Sequence, residues 1–291
     1  MMQASASKPS ADDGAAEQAH ARAQCPPFRP SAFRRQLVVD SALWWLFKII
    51  MVVVFCYALF QTEADKQPDA ALSLIFIVFV GFWLVYSLIS ARVAREIPHI
   101  TELIETDDDE AESMLATALR RKPLQYAVRL LLYHRLAVLR LRHRRYDEVA
   151  CVCGELLSRQ LGAAKSVEAH LLLMMAESSL QMRDHWGAWQ ALARLHGHRL
   201  NLMQALQRLA LQTRYEVEAG LDAAALQGLN QKIEMSELMP AGQCGSMHAM
   251  LALAAQRSKL ADQADWLRRR AELLCAAEQL QPLVGAEPVT A

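Results

Sequence analysis

The sequence predicts an all-α protein, in which a two-helix transmembrane hairpin is followed by a cytoplasmic domain of helical repeats. Two apolar runs, 41–60 and 70–90, are each long enough to cross a bilayer as a helix. From residue 123 onward, segments of helical length alternate with short polar breaks. The chain has 11 Gly and 10 Pro, fewer turn residues than a sheet-rich protein of 291 residues needs.

Residues 1–36 are predicted to form a disordered N-terminal tail, and residues 282–291 a disordered C-terminal tail. The first 30 residues are rich in Ala, Ser and Pro, carry mixed charges and include one aromatic residue. A segment of this composition buries too little apolar surface to offset the conformational entropy that it loses on ordering.

The transmembrane hairpin is predicted over residues 37–92. Its first span holds one charge, Lys48, and its second span holds none. We interpret Lys48 as a lysine that snorkels to the nearby headgroups, with a lipid or partner site as the alternative. Residues 61–69 are long enough only for a tight turn back into the membrane, so both chain ends are expected on the same side of the membrane. The arginines that flank the hairpin on that side are Arg29, Arg34, Arg35, Arg92 and Arg95. The positive-inside rule therefore predicts cytoplasmic termini, as in a bacterial inner-membrane protein.

Residues 93–122 are predicted to form connecting helices, with a break at Pro98. Thr106 is the expected N-cap of the second of them, with Asp109 three residues later as in a capping box. Acidic residues fill the first turn of this helix and basic residues its last turn, which complements the helix macrodipole at both ends.

Residues 123–281 are predicted to form a domain of eight helices. Their expected bounds are 123–143, 146–159, 165–182, 184–196, 200–219, 222–238, 243–258 and 260–279. Helices of this length with tight turns between them favour hairpins stacked in series. Small residues twelve positions apart mark where the two helices of a hairpin cross closely. The pairs are Ala137 with Val149, Ala176 with Ala188, and Ala252 with Ala264, and the hairpin over 200–238 fails this test.

Two motifs of the first hairpin resemble the tetratricopeptide repeat family. Residues 133–137, YHRLA, resemble the start of its first helix, and residues 145–149, RYDEV, resemble its turn and second helix. Arg144 and Arg183 stand where the family has a turn glycine. Val149 replaces an alanine, and the interval from Val149 to Ala188 is 39 residues, against about 34 in the family. A generic α-solenoid or helical bundle is the alternative.

The resemblance covers residues 123–279, and it implies a concave groove that binds an extended peptide or a partner helix. The residues expected to line that groove are Arg129, Tyr133, Arg140, His170 and Trp189. Trp189 is alternatively a core residue between two units. A second expected surface is a basic patch that faces anionic lipid, with compensation of helix dipoles as the alternative. The patch consists of Arg120, Arg121, Lys122, Arg142, Arg144 and Arg145.

The chain lacks the HExxH, GxGxxG, GxxxxGK[ST], GxSxG and CxxC motifs. We therefore predict no enzyme, no cofactor and no metal site. Cys151 and Cys153 lie about 200° apart on a helix, so one metal ion cannot readily take both. Cys153 is expected on the packing face, as a small apolar residue. Six scattered cysteines indicate a reducing compartment.

The predicted function is that of a membrane-tethered scaffold or adaptor, which binds another protein through its helical domain. Lys and Arg total 31, and so do Asp and Glu, and no aromatic residues interleave with the basic cluster, so nucleic acid is not an expected partner. The layout is also similar to that of bacterial inner-membrane proteins linked to late haem synthesis. The alternative function is therefore an accessory subunit or regulator of a membrane-associated enzyme in envelope or tetrapyrrole synthesis. A lipid-sensing or structural membrane protein is a third hypothesis.

Overall fold

The computed structural model describes residues 30–63, 70–121, 123, 125–159 and 166–275. The predicted tails fall outside these residues, apart from 30–36, and so do Lys122 and the centre of the loop between the predicted spans. Every regular element in the described part of the chain is helical. The chain separates into two units, one up to Cys56 and one from Tyr57 onward.

Twelve helices of at least five residues span the described residues. They are α1 (Pro30–Glu63), α2 (Ala70–Thr106), α3 (Asp108–Arg120), α4 (Tyr126–Arg142), α5 (Tyr146–Leu157), α6 (Glu168–Gln181), α7 (His185–Leu195), α8 (Leu202–Glu218), α9 (Asp222–Leu226), α10 (Leu229–Ser236), α11 (Ala241–Arg257) and α12 (Ala261–Leu274). An all-α fold is therefore confirmed for the described part of the chain.

Helix α1 begins inside the predicted tail and contains the whole of the first predicted span, 41–60. In the first unit, its apolar side chains Trp45, Ile49 and Val52 are exposed. The Nζ atom of Lys48 lies 5.3 Å from the centroid of the Trp45 ring, which is a cation–π contact. That this helix crosses a membrane stays a prediction.

Helix α2 contains a segment that is suited to crossing a membrane. Residues 77–106 are long and apolar enough, with a mean hydropathy of 1.9 over their most apolar 18-residue window, and they are the one segment of this kind among the described residues. Large apolar side chains in its first half, among them Ile77, Val78 and Leu88, are exposed. One candidate membrane helix is compatible with membrane association, whereas the two-span hairpin stays a prediction.

The predicted break at Pro98 is wrong, because α2 continues through this residue to Thr106. A proline inside a helix costs about 3 kcal/mol. Pro98 itself is exposed, and the opposite face of the same stretch is buried. The buried residues Val93, Ile97, Ile100 and Ile104 share a core with α3 and α4. Burial of such side chains contributes about 1.5–3 kcal/mol each, so packing outweighs the cost of the proline.

Asp107 is the N-cap of α3, and the prediction of Thr106 is wrong. Its Oδ1 atom accepts from the backbone N–H groups of Asp109 and Glu110, both at 3.1 Å. Thr106 is the last residue of α2, and its hydroxyl donates to the Glu102 carbonyl at 3.2 Å. With one residue between them, α3 turns back and packs against α2.

We call helices α4 to α12, residues 126–274, the array. Four turns between its helices have the same geometry. The left-handed residues are Arg144, Arg183, Gly220 and Lys259, with φ between 57° and 72°. In each turn, the next residue donates its N–H to a carbonyl five positions back, at 2.7–2.9 Å. This pattern is the Schellman motif. The four residues follow one another at intervals of 39, 37 and 39 positions, so the turns define four successive hairpins.

The four turns also give a common register for the residues around them. Seven positions before each turn residue stand Ala137, Ala176, Thr213 and Ala252, and five positions after it stand Val149, Ala188, Ala225 and Ala264. All eight side chains are buried. The hairpin that failed the twelve-residue test therefore has its own crossing pair, Thr213 with Ala225. The test missed it because it did not count threonine as a small residue.

The hairpins stack in one direction along the chain. Each first helix (α4, α6, α8 and α11) packs against the second helix of its own hairpin, and α4, α6 and α8 also pack against the first helix of the next hairpin. Each second element also contacts the first helix that follows it. This is a helical-repeat arrangement compatible with an α-solenoid.

The second helix of the third hairpin is broken, although a single helix over 222–238 is predicted. It divides into α9 and α10 at Gly228, which has a left-handed φ of 67°. The Nζ atom of Lys232 donates to the carbonyls of Ala224 at 3.2 Å and Ala225 at 2.7 Å. The Ala224 carbonyl also accepts from the backbone N–H of Gln227 at 3.1 Å. Both carbonyls lie in the last turn of α9, so Lys232 caps the C-terminal end of this helix. Its charge pairs with Glu216 at 3.1 Å, and both side chains are largely buried.

Candidate functional site

A polar seam runs along the first helices α4, α6 and α8, through otherwise apolar packing. We call it the first-helix seam, and its members are His134, His170, Glu177, Gln207 and Arg214. His170 and Glu177 are seven residues apart on α6, which is about two turns, so they lie on one face of that helix. The seam therefore joins three successive hairpins.

The two histidines are in direct contact. The Nε2 atom of His134 lies 2.5 Å from the Nδ1 atom of His170, so one nitrogen donates and the other accepts. His134 is only 5% exposed. Burial, with the nearby His170 and Arg135, lowers the pKa of His134 to about 3. Burial and Arg135 also lower the pKa of His170. The pair is neutral at physiological pH.

The second part of the seam lies between α6 and α8. Burial raises the pKa of Glu177, while the Arg214 guanidinium and a hydrogen bond with the Gln207 side chain partly oppose that rise. Arg214 also donates through Nε to Glu218 at 2.6 Å. The carboxyl group of Glu177 is thus held between a cation and an amide, in a position that links two first helices.

The five residues expected to line a groove lie in different surroundings. His170 belongs to the first-helix seam, Tyr133 is buried and Arg129 is half-buried. The Arg140 guanidinium reaches Glu112 of α3 at 2.8 Å and Glu148 of α5 at 3.1 Å. The fifth residue, Trp189, lies on the second helix α7. That these residues bind a partner stays a prediction.

The expected basic patch contains many ion pairs. Arg121 lies 2.8 Å from Glu96, Arg142 lies 3.6 Å from Asp108, and Arg145 lies 3.6 Å from Glu148. Two arginines of the patch, Arg120 and Arg144, are exposed and form no ion pair within the described residues. Acidic residues of α2, α3 and α5 therefore offset three of the positive charges that the sequence places here.

Two exposed tryptophans of α7 lie side by side on the surface of the array. Trp186 and Trp189 lie one helical turn apart on α7, and they are 66% and 45% exposed. Their rings stack with centroids 5.1 Å apart and an interplanar angle of 22°. Stacking fixes both rings, so a partner that covers them loses little side-chain entropy on binding.

A serine and a histidine meet in the interior, between α10 and α11. The Oγ atom of Ser236 is 3.2 Å from the Nε2 atom of His248 and donates to the Ile233 carbonyl at 2.7 Å. The hydroxyl proton is engaged by that carbonyl, so His248 acts as the donor to Ser236. Both residues are fully buried. This geometry is that of a satisfied core hydrogen bond, and not of an activated nucleophile.

Cys153 is fully buried on α5, and Cys151 is half-buried. Burial raises the pKa of the Cys153 thiol to about 12, so this residue packs as an apolar group. In the described part of the chain, no three His, Cys, Asp or Glu side chains cluster as metal ligands do.

Comparisons with protein-family models, with curated proteins and with solved structures find no match for this chain.

Proposed function

We propose that this protein is a membrane-tethered scaffold, in which a tetratricopeptide-like array of hairpins binds another protein. The observation that carries the proposal is the common register of four hairpins, whose turns repeat every 37–39 residues. Stacked hairpins of this kind build extended surfaces for protein partners. Two spans, at 41–60 and 70–90, hold the array at the membrane with both termini in the cytoplasm.

The exposed tryptophans of α7 are the proposed centre of the partner interface. Tryptophan is enriched among residues that dominate binding energy, and stacked exposed rings supply a preformed anchor. The first-helix seam is less accessible, because His134 within it is buried. The partner therefore contacts the second helix α7 at Trp186 and Trp189, and not the histidine pair.

Confinement to the membrane raises the effective concentration of the array for partners in the same membrane. A modest affinity at the tryptophan pair is then enough for stable association. The alternative function, an accessory subunit of a membrane-bound enzyme of envelope or tetrapyrrole synthesis, predicts that the captured partner is such an enzyme.

Cross-linking in native membranes, followed by affinity capture, tests the scaffold. The wild-type chain is expected to recover a stoichiometric partner, and the double variant Trp186→Ala, Trp189→Ala to recover at least about tenfold less. The matched control is Trp266→Ala, which removes another exposed tryptophan, one that lies 5.3 Å from the Arg270 guanidinium. Equal recovery by wild type and double variant, or no stoichiometric partner with the wild type, contradicts the proposal.

The proposed topology is tested by cysteine labelling in a chain whose native cysteines are replaced. A cysteine at position 25 is expected to react from the cytoplasmic side, and Thr62→Cys from the opposite side. Labelling of position 62 from the cytoplasm alone would contradict the arrangement of two spans with cytoplasmic ends.

A further inference from the structure

The broken helix of the third hairpin opens a pocket beside α8. Its volume is about 340 Å³, within the range of small-molecule sites. One wall is a stripe on α8, and the other comes from the Gly228 break and from α10. The lining residues include Leu200, Arg208, Leu209, Gln227, Gln231 and Met235.

The pocket exists because this hairpin departs from the other three. Twelve positions after the turn residue, the other hairpins have the buried core residues Leu156, Leu195 and Ala271. The third hairpin has Lys232 there, which turns to Glu216 and to the end of α9. Apolar packing is lost at this position, and the pocket between α8 and α10 remains open.

One positive charge in the pocket wall is uncompensated. The charge of Lys232 is offset by Glu216, whose second oxygen accepts from Gln212 at 2.9 Å. Arg208 is half-buried and makes no hydrogen bond or ion pair within the described residues. A guanidinium is charged at all physiological pH values and presents a planar fork that matches a carboxylate. An unpaired guanidinium that reaches this space can pair with an anion there.

The other residues of the pocket wall indicate the chemistry of the rest of the ligand. The amides of Gln227 and Gln231 have no intramolecular hydrogen bond within the described residues, and both line the pocket. The side chains of Leu200, Leu209 and Met235 provide the apolar part of the wall. An apolar pocket with a few convergent polar groups is typical of a site for a small organic ligand.

We propose that this pocket binds a small amphipathic carboxylate. The carboxylate pairs with the Arg208 guanidinium, one of the two glutamine amides donates a further hydrogen bond, and the apolar body of the ligand lies against the leucines and Met235. The site is separate from the tryptophans of α7 and does not depend on a protein partner.

Three matched probes test the proposal on the full chain in lipid nanodiscs. Phenylpropionate carries the carboxylate, phenylpropanol is neutral, and phenylpropylamine is a cation of similar size. Titration calorimetry, with empty nanodiscs as the blank, is expected to show binding of the carboxylate and at least about tenfold weaker binding of the other two. Equal binding of the alcohol would overturn the assignment of an anion site.

Two variants locate the binding. Arg208→Gln removes the charge, and Ala205→Leu fills the pocket from α8 while keeping helix propensity. Each is expected to weaken phenylpropionate binding at least about tenfold. Arg269→Gln, on the exposed face of α12, is the matched control and retains wild-type binding. No binding by the wild type, or undiminished binding by Arg208→Gln, would overturn the proposal.

Discussion

The buried histidine pair makes the stability of the array depend on pH. The pKa of His134 is about 6.5 in an unfolded chain and about 3 in the fold. The unfolded state therefore binds a proton first as the pH falls. The stability that rests on the neutral ring is fully present above about pH 6.5, and it is lost as the pH falls towards 3.

The linkage relation gives the size of the effect. With these two pKa values, lowering the pH from about 7.5 to about 5 removes about 2 kcal/mol from the free energy of unfolding. His170 shifts in the same direction and adds to the loss. At a urea dependence of about 2 kcal/mol per molar, the unfolding midpoint falls by about 1 M.

Pulse proteolysis of the nanodisc-embedded protein in a urea series measures this midpoint at both pH values. His134→Gln keeps a neutral hydrogen-bonding group beside His170 and removes one titration, so its midpoint is expected to shift much less. The control is His196→Gln, because His196 is exposed, and it retains the wild-type shift. A wild-type midpoint that does not change with pH, or an unchanged shift in His134→Gln, would refute the linkage.

Three further predictions concern stability, and the same urea assay checks them. Lys232→Met leaves Glu216 buried without its cation and is expected to cost about 3–5 kcal/mol. Adding Glu216→Gln is expected to recover part of that loss, and a fully additive double variant would argue against the coupling. Arg183→Gly relieves a left-handed turn residue and is expected to stabilise by about 1 kcal/mol, while Gly220→Ala destabilises by about the same. Pro98→Ala is expected to stabilise the solvent-exposed part of α2 by up to about 3 kcal/mol, and no gain would show that the proline is unstrained.

The sequence predicts the helices of the array well, because short breaks separate long apolar patterns. Its errors have physical causes. At Pro98, burial of the opposite helix face overrides a local helix breaker. At Gly228, one glycine in an otherwise helical pattern gives no warning of a break, since an isolated glycine costs a helix only about 1 kcal/mol. The crossing pair of Thr213 and Ala225 emerges only when the turns fix the register.

The candidate sites are harder to predict. His170 is an expected site residue, but its partner His134 lies 36 residues away in sequence, and stacking of two hairpins is what brings the rings together. A spacing close to one repeat, on facing first helices, is the signal that points to such a pair. The pocket at Arg208 depends on where α10 turns after the break, which no local pattern of residues encodes.

The unbroken course of α2 has a mechanical consequence. Residues 90–106 form a rod of about 25 Å that runs from the apolar segment into the core shared with α3 and α4. On the proposed orientation, a tilt of the rod by about 10° in the bilayer moves its far end by about 4 Å. The helix is continuous over this stretch, Pro98 included. On this orientation, bilayer thickness and neighbouring spans would therefore set the tilt of the array relative to the membrane, with α2 as the lever.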